Sequence, residues 1–292
     1  MKNFKIILSA FLMLPLLVLA QEKDKDSIID KPERPAFESA TLIDNATNVL
    51  FSKNTLEIQM QHRFGPIDDE NSLLGIYGPA NIRIGFSYAI LDRLTVGYGI
   101  TKTNRLHDFS WKAALLRQTR SDKTPVSVTY YGNFTIDGRS GDANDDKFIL
   151  RQDRYSNFHQ LIIARRFSPK FSLQIAPSIS HYNTVDFGRE NDRFAIAIGG
   201  RAKISPQTSI LFDYSQPITQ FDDVIKLDDS VENYNHPGIS LGVEFSTSAH
   251  AFQLFLTNYN GIVPQQNYMK NTSDFFGEGI LIGFNITRNY NF

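Results

Sequence analysis

The residues best placed to act on a solute sit at alternate positions in segments whose other face is apolar. Glu57 and Arg63 are interleaved with Leu56, Ile58, Met60 and Phe64, and Arg83 lies between Ile82 and Ile84. Lys112, Arg201, Lys203, Asp213 and Glu244 recur in the same manner further along. Period-two alternation collects such side chains on one face of a strand. A sheet closed on itself would turn that face inward, setting Arg63, Arg83, Lys112, Arg201 and Lys203 against Glu57, Asp213 and Glu244. Rings of basic groups favour anions in a pore, whereas in a crowded interior the same groups pair with one another. Arg63 and Arg83 are expected across one hairpin near the outer mouth, where they would meet an anionic solute or lipid.

Two other constellations have weaker chemistry. Asp142, Asn144 and Asp146 fall at alternate positions, with Asp153 at the twelfth place from Asp142, the spacing of a calcium loop. Lys147 stands where such a loop turns on Gly, and no Glu closes it, so the alternative is a solvated acidic loop. His62, His159 and His181 lie in or beside strand-like segments, but no short motif joins a histidine to a serine. His62, on an apolar face near a strand end, reads as an interfacial residue. No enzyme is expected, and no cofactor beyond the calcium alternative.

The elements that must position these groups are strands almost throughout. Twelve are expected: Thr55 to Phe64, Asn81 to Ile90, Leu94 to Thr101, Phe109 to Thr119, Val126 to Ile136, Tyr155 to Phe167, Phe171 to Tyr182, Phe194 to Ile204, Thr208 to Ser215, Ile239 to Phe245, His250 to Thr257 and Gly279 to Phe292. The last is the cleanest, with Ile280, Ile282, Phe284, Ile286, Tyr290 and Phe292 on one face, interrupted by Arg288. In Phe109 to Thr119 and Tyr155 to Phe167 the alternation breaks down and the register stays open. Short links such as Leu91 to Arg93 and Ser168 to Lys170 alternate with long ones such as Asp137 to Arg154 and Gln216 to Gly238. This is the asymmetry of an antiparallel transmembrane β-barrel, with short periplasmic turns and longer extracellular loops. A soluble closed barrel is the structural rival. The polar faces decide against it, being built of Gly, Ala, Ser, Thr, Asn and Gln, which suit a narrow lumen. Tyr88, Phe167, Phe171, Phe245, Phe252, Tyr290 and Phe292 gather towards the inner rim as an interfacial girdle.

Ahead of the strands, Lys2 and Lys5 precede an apolar run from Ile6 to Leu19, which reads as a cleaved secretory signal over residues 1–20. Residues 21–54, polar and carrying Pro32 and Pro35, are expected as a periplasmic N-terminal arm, either loosely structured or tucked into the barrel. Residues 55–292 form the barrel. The chain of 292 residues has no cysteine and a formal net charge of -1, which leaves no thiolate site and no basic footprint for nucleic acid.

The stretches WKAALLRQTRSDKTPVSVTYYGNFTID (Trp111 to Asp137), PAFESATLIDNAT (Pro35 to Thr47) and IQMQHRFG (Ile58 to Gly65) resemble an uncharacterised outer-membrane β-barrel family of Bacteroidota, a domain of unknown function. The resemblance implies location and fold and brings no catalytic residues or substrate. A chain ending on Phe292 also resembles the signal that barrel-assembly machinery reads in outer-membrane proteins. The expected partners are therefore outer-membrane lipids, the assembly machinery during insertion, and a small-molecule solute. The leading expectation is a narrow channel or transporter. The alternatives are a non-conducting structural or docking barrel and, more remotely, a lipid-modifying enzyme.

Overall fold

Twelve antiparallel strands close into a barrel in the computed structural model, which describes residues 30–67, 72–139, 148–185, 189–225, 231–277 and 279–292. The expected signal segment, residues 1–20, lies outside the described residues. The arm contributes a small hairpin, β1 (Thr41–Leu42) and β2 (Asn45–Ala46), paired Thr41 to Ala46 and Leu42 to Asn45. The wall is built from β3 (Thr55–Pro66), β4 (Asn81–Leu91), β5 (Leu94–Thr101), β6 (Leu106–Leu116), β7 (Ser127–Asp137), β8 (Tyr155–Arg166), β9 (Phe171–Tyr182), β10 (Asp192–Lys203) and β11 (Thr208–Pro217). A separate ribbon, β12 (Val224–Ile225) with β13 (Val231–Glu232), lies in the next connection. The wall then resumes with β14 (Gly238–Ser246), β15 (His250–Thr257) and β16 (Leu281–Asn291), and α1 (Pro264–Lys270) lies between the last two.

Neighbours in sequence are neighbours in the wall, and β16 closes on β3 with Tyr290 opposite Leu56 and Phe284 opposite His62. Closure pairs the backbone groups that an open sheet edge would leave bare, and in hydrocarbon that pairing is obligatory. His62 sits on the outer face at this seam, its ring stacked on Phe284 at 5.1 Å. The alternation decides which side chains go where. In β3, Thr55, Glu57, Gln59, Gln61 and Arg63 are buried in the lumen, while large apolar groups such as Ile84, Phe86, Ile198, Leu241 and Leu254 stand exposed on the outside. An apolar outer surface of this extent suits acyl chains better than water.

One expectation about elements needs correction, and the register of β8, open in the sequence, is defined by the structure. The fourth strand is Leu106–Leu116, not Phe109 to Thr119, because a bulge between Ala114 and Leu116 inserts a residue and returns Leu116 to the outer face. That shift leaves only 102–105 as the loop before β6 and makes 117–126 the link after it, so loop length does not alternate strictly around the barrel. In β8 the inward set is Ser156, Phe158, Gln160, Ile162 and Ala164. Its large apolar members are thus partly inside, for a reason that lies in what fills the lumen.

Candidate functional site

The lumen is the site, and it is filled from both ends. From the rim of short turns the arm enters beside the 117–126 link, where Glu33 N donates to Gln118 O (2.7 Å) and Arg120 N to Lys31 O (3.0 Å). It runs inward as far as the hairpin β1–β2 and returns to the same rim, where Asn54 N donates to Ala89 O (2.9 Å) and Tyr88 Oη to Asn54 Oδ1 (3.1 Å). Its apolar side chains explain the small and apolar residues of the facing wall. Leu42 and Ile43 belong to one buried cluster with Ala164, Leu211 and Phe255, and Ala46 to another with Ile162, Ala176 and Ala197. A Cβ on Gly199 would come within 2.3 Å of Leu42 Cδ2, so a glycine is what lets the arm approach β10.

The hairpin tip is held by charge. Asp44 Oδ1 pairs with Arg63 Nη2 at 2.8 Å, both side chains being almost wholly buried. The other oxygen of Asp44 accepts from Ser240 Oγ (2.6 Å) and Thr257 Oγ1 (2.8 Å). Arg63 also donates to Asn285 Oδ1 (3.0 Å) and Ile43 O (3.3 Å), and its guanidinium lies 4.5 Å from the centre of the Phe255 ring. Asp213 accepts from the backbone amides of Asp44 (3.2 Å) and Asn45 (3.0 Å) and from Asn45 Nδ2 (2.9 Å). Glu244 accepts from Ser39 Oγ (2.6 Å) and Gln253 Nε2 (2.9 Å). Lys112 Nζ donates to the arm carbonyls of Ala40 (2.9 Å) and Val49 (3.3 Å).

Nearer the turn rim, Arg201 Nη1 and Lys203 Nζ converge on Glu38 Oε1, at 2.6 and 3.4 Å. Burial pushes the Glu38 carboxyl up, but the hydrogen bond and charge of Arg201, joined by Lys203, outweigh it and leave the group below the usual glutamate value.

From the rim of long loops, α1 descends to meet the arm. Tyr268 Oη donates to Asn45 Oδ1 at 2.7 Å, and its ring stacks on Phe158 at 5.5 Å, which accounts for an apolar residue on the lumen side of β8. Gln265 Nε2 donates to Thr135 Oγ1 (2.7 Å) and Asn133 Oδ1 (3.0 Å). Arg193, fully buried at the head of β10, donates to the carbonyls of Thr219 (3.0 Å), Tyr234 (2.6 Å) and Tyr268 (2.8 Å), tying two loops to the wall.

Arm and α1 leave a cavity of about 80 Å³ against β3–β7, lined among others by Glu57, Gln59, Gln61, Arg83, Lys112 and Asn133. Here Arg83 lies flat over Gly85 and Gly99. It grips Asp108 through two bonds, Nε to Oδ2 (2.8 Å) and Nη2 to Oδ1 (2.7 Å), with Gln61 on Nη1 (3.1 Å).

All eight charged residues singled out in the sequence are placed by the structure in the lumen. Arg63 and Arg83 do share one hairpin, with Arg83 opposite Gln61 and Arg63 opposite Asn81. Neither faces an open mouth, and Arg63 is 0% exposed. Asp142, Asn144 and Asp146 lie outside the described residues; Asp153 Oδ2 accepts from Leu150 N (2.7 Å). Sequence reasoning missed Asp108, which it left in a loop, although Asp108, Ser110 and Lys112 share one parity. It also missed Arg193, which shares the parity of Arg201, and Glu38 and Asp44, for which local sequence carries no signal, since their partners are up to 213 residues away.

A closed twelve-strand barrel with an apolar exterior and a plugged polar lumen is a membrane β-barrel. The chain belongs to the family described as membrane bound beta barrel domain (DUF5777), which matches residues 37–290. The match begins at Phe37, so the lumenal hairpin is part of the family's domain and not an appendage to it. Among solved structures, the COG4313 outer membrane channel from Pseudomonas putida F1 is similar at a TM-score of 0.51 and 12% identity, over 83% of this chain and 97% of that one. The NanC porin is similar at a TM-score of 0.50 and 7% identity, over 81% of this chain and 100% of that one. These likenesses show the fold. No curated protein matches the chain.

Proposed function

We propose that the protein is an outer-membrane channel for small solutes of the Bacteroidota type, closed in this conformation by its arm and α1. The observation that carries this reading is the lopsided filling of the lumen. The arm packs its apolar side chains on Ala164, Ala176, Ala197 and Leu211, and cavities remain on the opposite side, one of them against the polar face of β3–β7. A solute path would run along that side, past Arg83, Lys112 and Glu57, and widen when the hairpin withdraws towards the periplasm. Arg63, Arg201, Lys203, Asp213 and Glu244, which now hold the arm, would then face the solute. Planar-bilayer recording on the purified full chain tests this: steady or stepwise conductance supports it, and a correctly folded but silent barrel removes it. In a conducting barrel, Arg63→Ala and Arg83→Ala should each lower anion preference, and unchanged selectivity would count against those two residues.

The second reading is a non-conducting docking barrel, favoured by how firmly the hairpin tip is bonded to the wall through Asp44, Asp213 and Arg63. Silence in the bilayer, together with an arm that resists protease throughout, would favour it.

A further inference from the structure

We propose that Arg201 and Lys203 form a carboxylate-binding subsite of the lumen, and that Glu38 of the arm occupies it in place of a carboxylate on a small anionic solute. The inference rests on the channel reading and names the solute class for it.

The buried arginines of the lumen differ in how many of their donors find a partner. Arg63 donates to Asp44, Asn285 and two backbone carbonyls. Arg193 donates to three carbonyls and to Asn235 Oδ1. Arg201 is as deeply buried, its side chain 1% exposed, yet it bonds through Nη1 alone, while Nε and Nη2 are buried without a partner. A guanidinium presents five donors in a planar fork that matches a carboxylate through two parallel bonds. Glu38 offers Arg201 one bond, and the oxygen it uses is shared with Lys203. Across the β9–β10 pair, directly opposite Arg201, Ser172 is fully buried with its hydroxyl also unpartnered. Buried polar groups are usually satisfied, and one left bare destabilises the folded state. Several unused donors around two cations describe a site fitted to a fuller carboxylate contact than a tethered glutamate makes.

Position supports the same reading. Glu38 is 39% exposed at the side chain, whereas Asp44 at the hairpin tip is 2% exposed, so Glu38 is the more accessible of the two arm carboxylates held by lumenal arginines. Ser39 beside it donates to Glu244, so a solute that displaced Glu38 would loosen that bond as well. Because solute and Glu38 would exclude one another, solute binding and arm release are linked, and each would favour the other.

The test is calorimetric titration of the full chain in detergent micelles with succinate, using neutral succinamide and inorganic phosphate as comparison probes. Succinate should bind the wild-type protein. Glu38→Gln should tighten that binding about tenfold by removing the internal competitor, and Arg201→Gln should abolish it. Succinate affinity unchanged in Glu38→Gln, or retained in Arg201→Gln, overturns the proposal, and phosphate binding as tightly as succinate overturns the carboxylate class. Heat-modifiable electrophoretic mobility reports folding of each variant. If Arg201→Gln does not fold, Lys203→Gln decides, since its more exposed side chain can be changed without opening the core, and an unaltered succinate affinity there is fatal. Calorimetry needs no current, so a barrel that binds succinate but never conducts would remove the channel reading and keep the subsite.

Discussion

At the scale of single residues, the lumen is governed by the cost of burying charge. Asp44 and Arg63 are each nearly inaccessible, so neither is tolerable there without the other. Removing one partner of such a pair typically costs 3–5 kcal/mol in a dry interior. Asp44→Asn should therefore weaken arm docking by about 3 kcal/mol, seen as faster proteolysis within residues 36–51 while the barrel itself stays folded. An unchanged cleavage rate would show that the pair does not hold the arm. Gly199 acts by its lack of a side chain. Gly199→Val should drive Leu42 off β10, and because the two touch, its effect should shrink when combined with Leu42→Ala. Strict additivity in that double-mutant cycle would contradict the contact.

Among the elements, the two that plug the lumen are those least able to form alone. The β1–β2 hairpin turns through Ile43 at φ 51°, a conformation a β-branched residue rarely adopts. The wall imposes it: Ile43 O accepts from Arg63 and Asn285, and Ile43 N donates to Gln253 Oε1. The helix α1 spans only Pro264–Lys270, too short to persist in water without packing. Five of its residues are buried, among them Gln265 and Tyr268. Tyr268→Phe keeps the stack on Phe158 but removes the hydroxyl that meets Asn45 and Ser215. Loss of those bonds should cost about 1 kcal/mol and raise amide hydrogen exchange in both α1 and residues 41–46. A rise confined to α1 would mean that the two plugs are not coupled through this hydroxyl.

For the whole molecule, the consequence is a closed state whose stability depends on pH. Glu38 is below the usual glutamate value in the docked arm, so its contribution is complete above the ordinary value of 4.5 and fades as pH falls through the lower, folded-state value. The thermal stability of arm docking in the wild-type chain should therefore exceed that of Glu38→Gln at neutral pH, with the gap closing below about pH 4.5. A gap that persists into strong acid would show that the carboxylate charge is not what Arg201 and Lys203 hold. Acid should likewise promote opening if the barrel conducts, since the same proton that neutralises Glu38 weakens its hold on Arg201 and Lys203.

What the sequence determined by itself was the wall. Strand alternation has period two, so a single chain read in order is enough to assign Glu57, Arg63, Arg83, Lys112, Arg201, Lys203, Asp213 and Glu244 to one face, to count twelve strands and to place the seam between β3 and β16. It left the register open at β6, where a bulge breaks the period, and at β8, where Phe158 and Ile162 turn inward and both faces carry large apolar groups. The tertiary structure alone decided the contents of the lumen. The arm and α1 have little regular pattern of their own, and their conformations are set by partners far away in sequence, as with Glu38 on Arg201 and Tyr268 on Asn45. Whether a lumenal charge is open to a solute or already answered depends on those contacts, which no local pattern encodes.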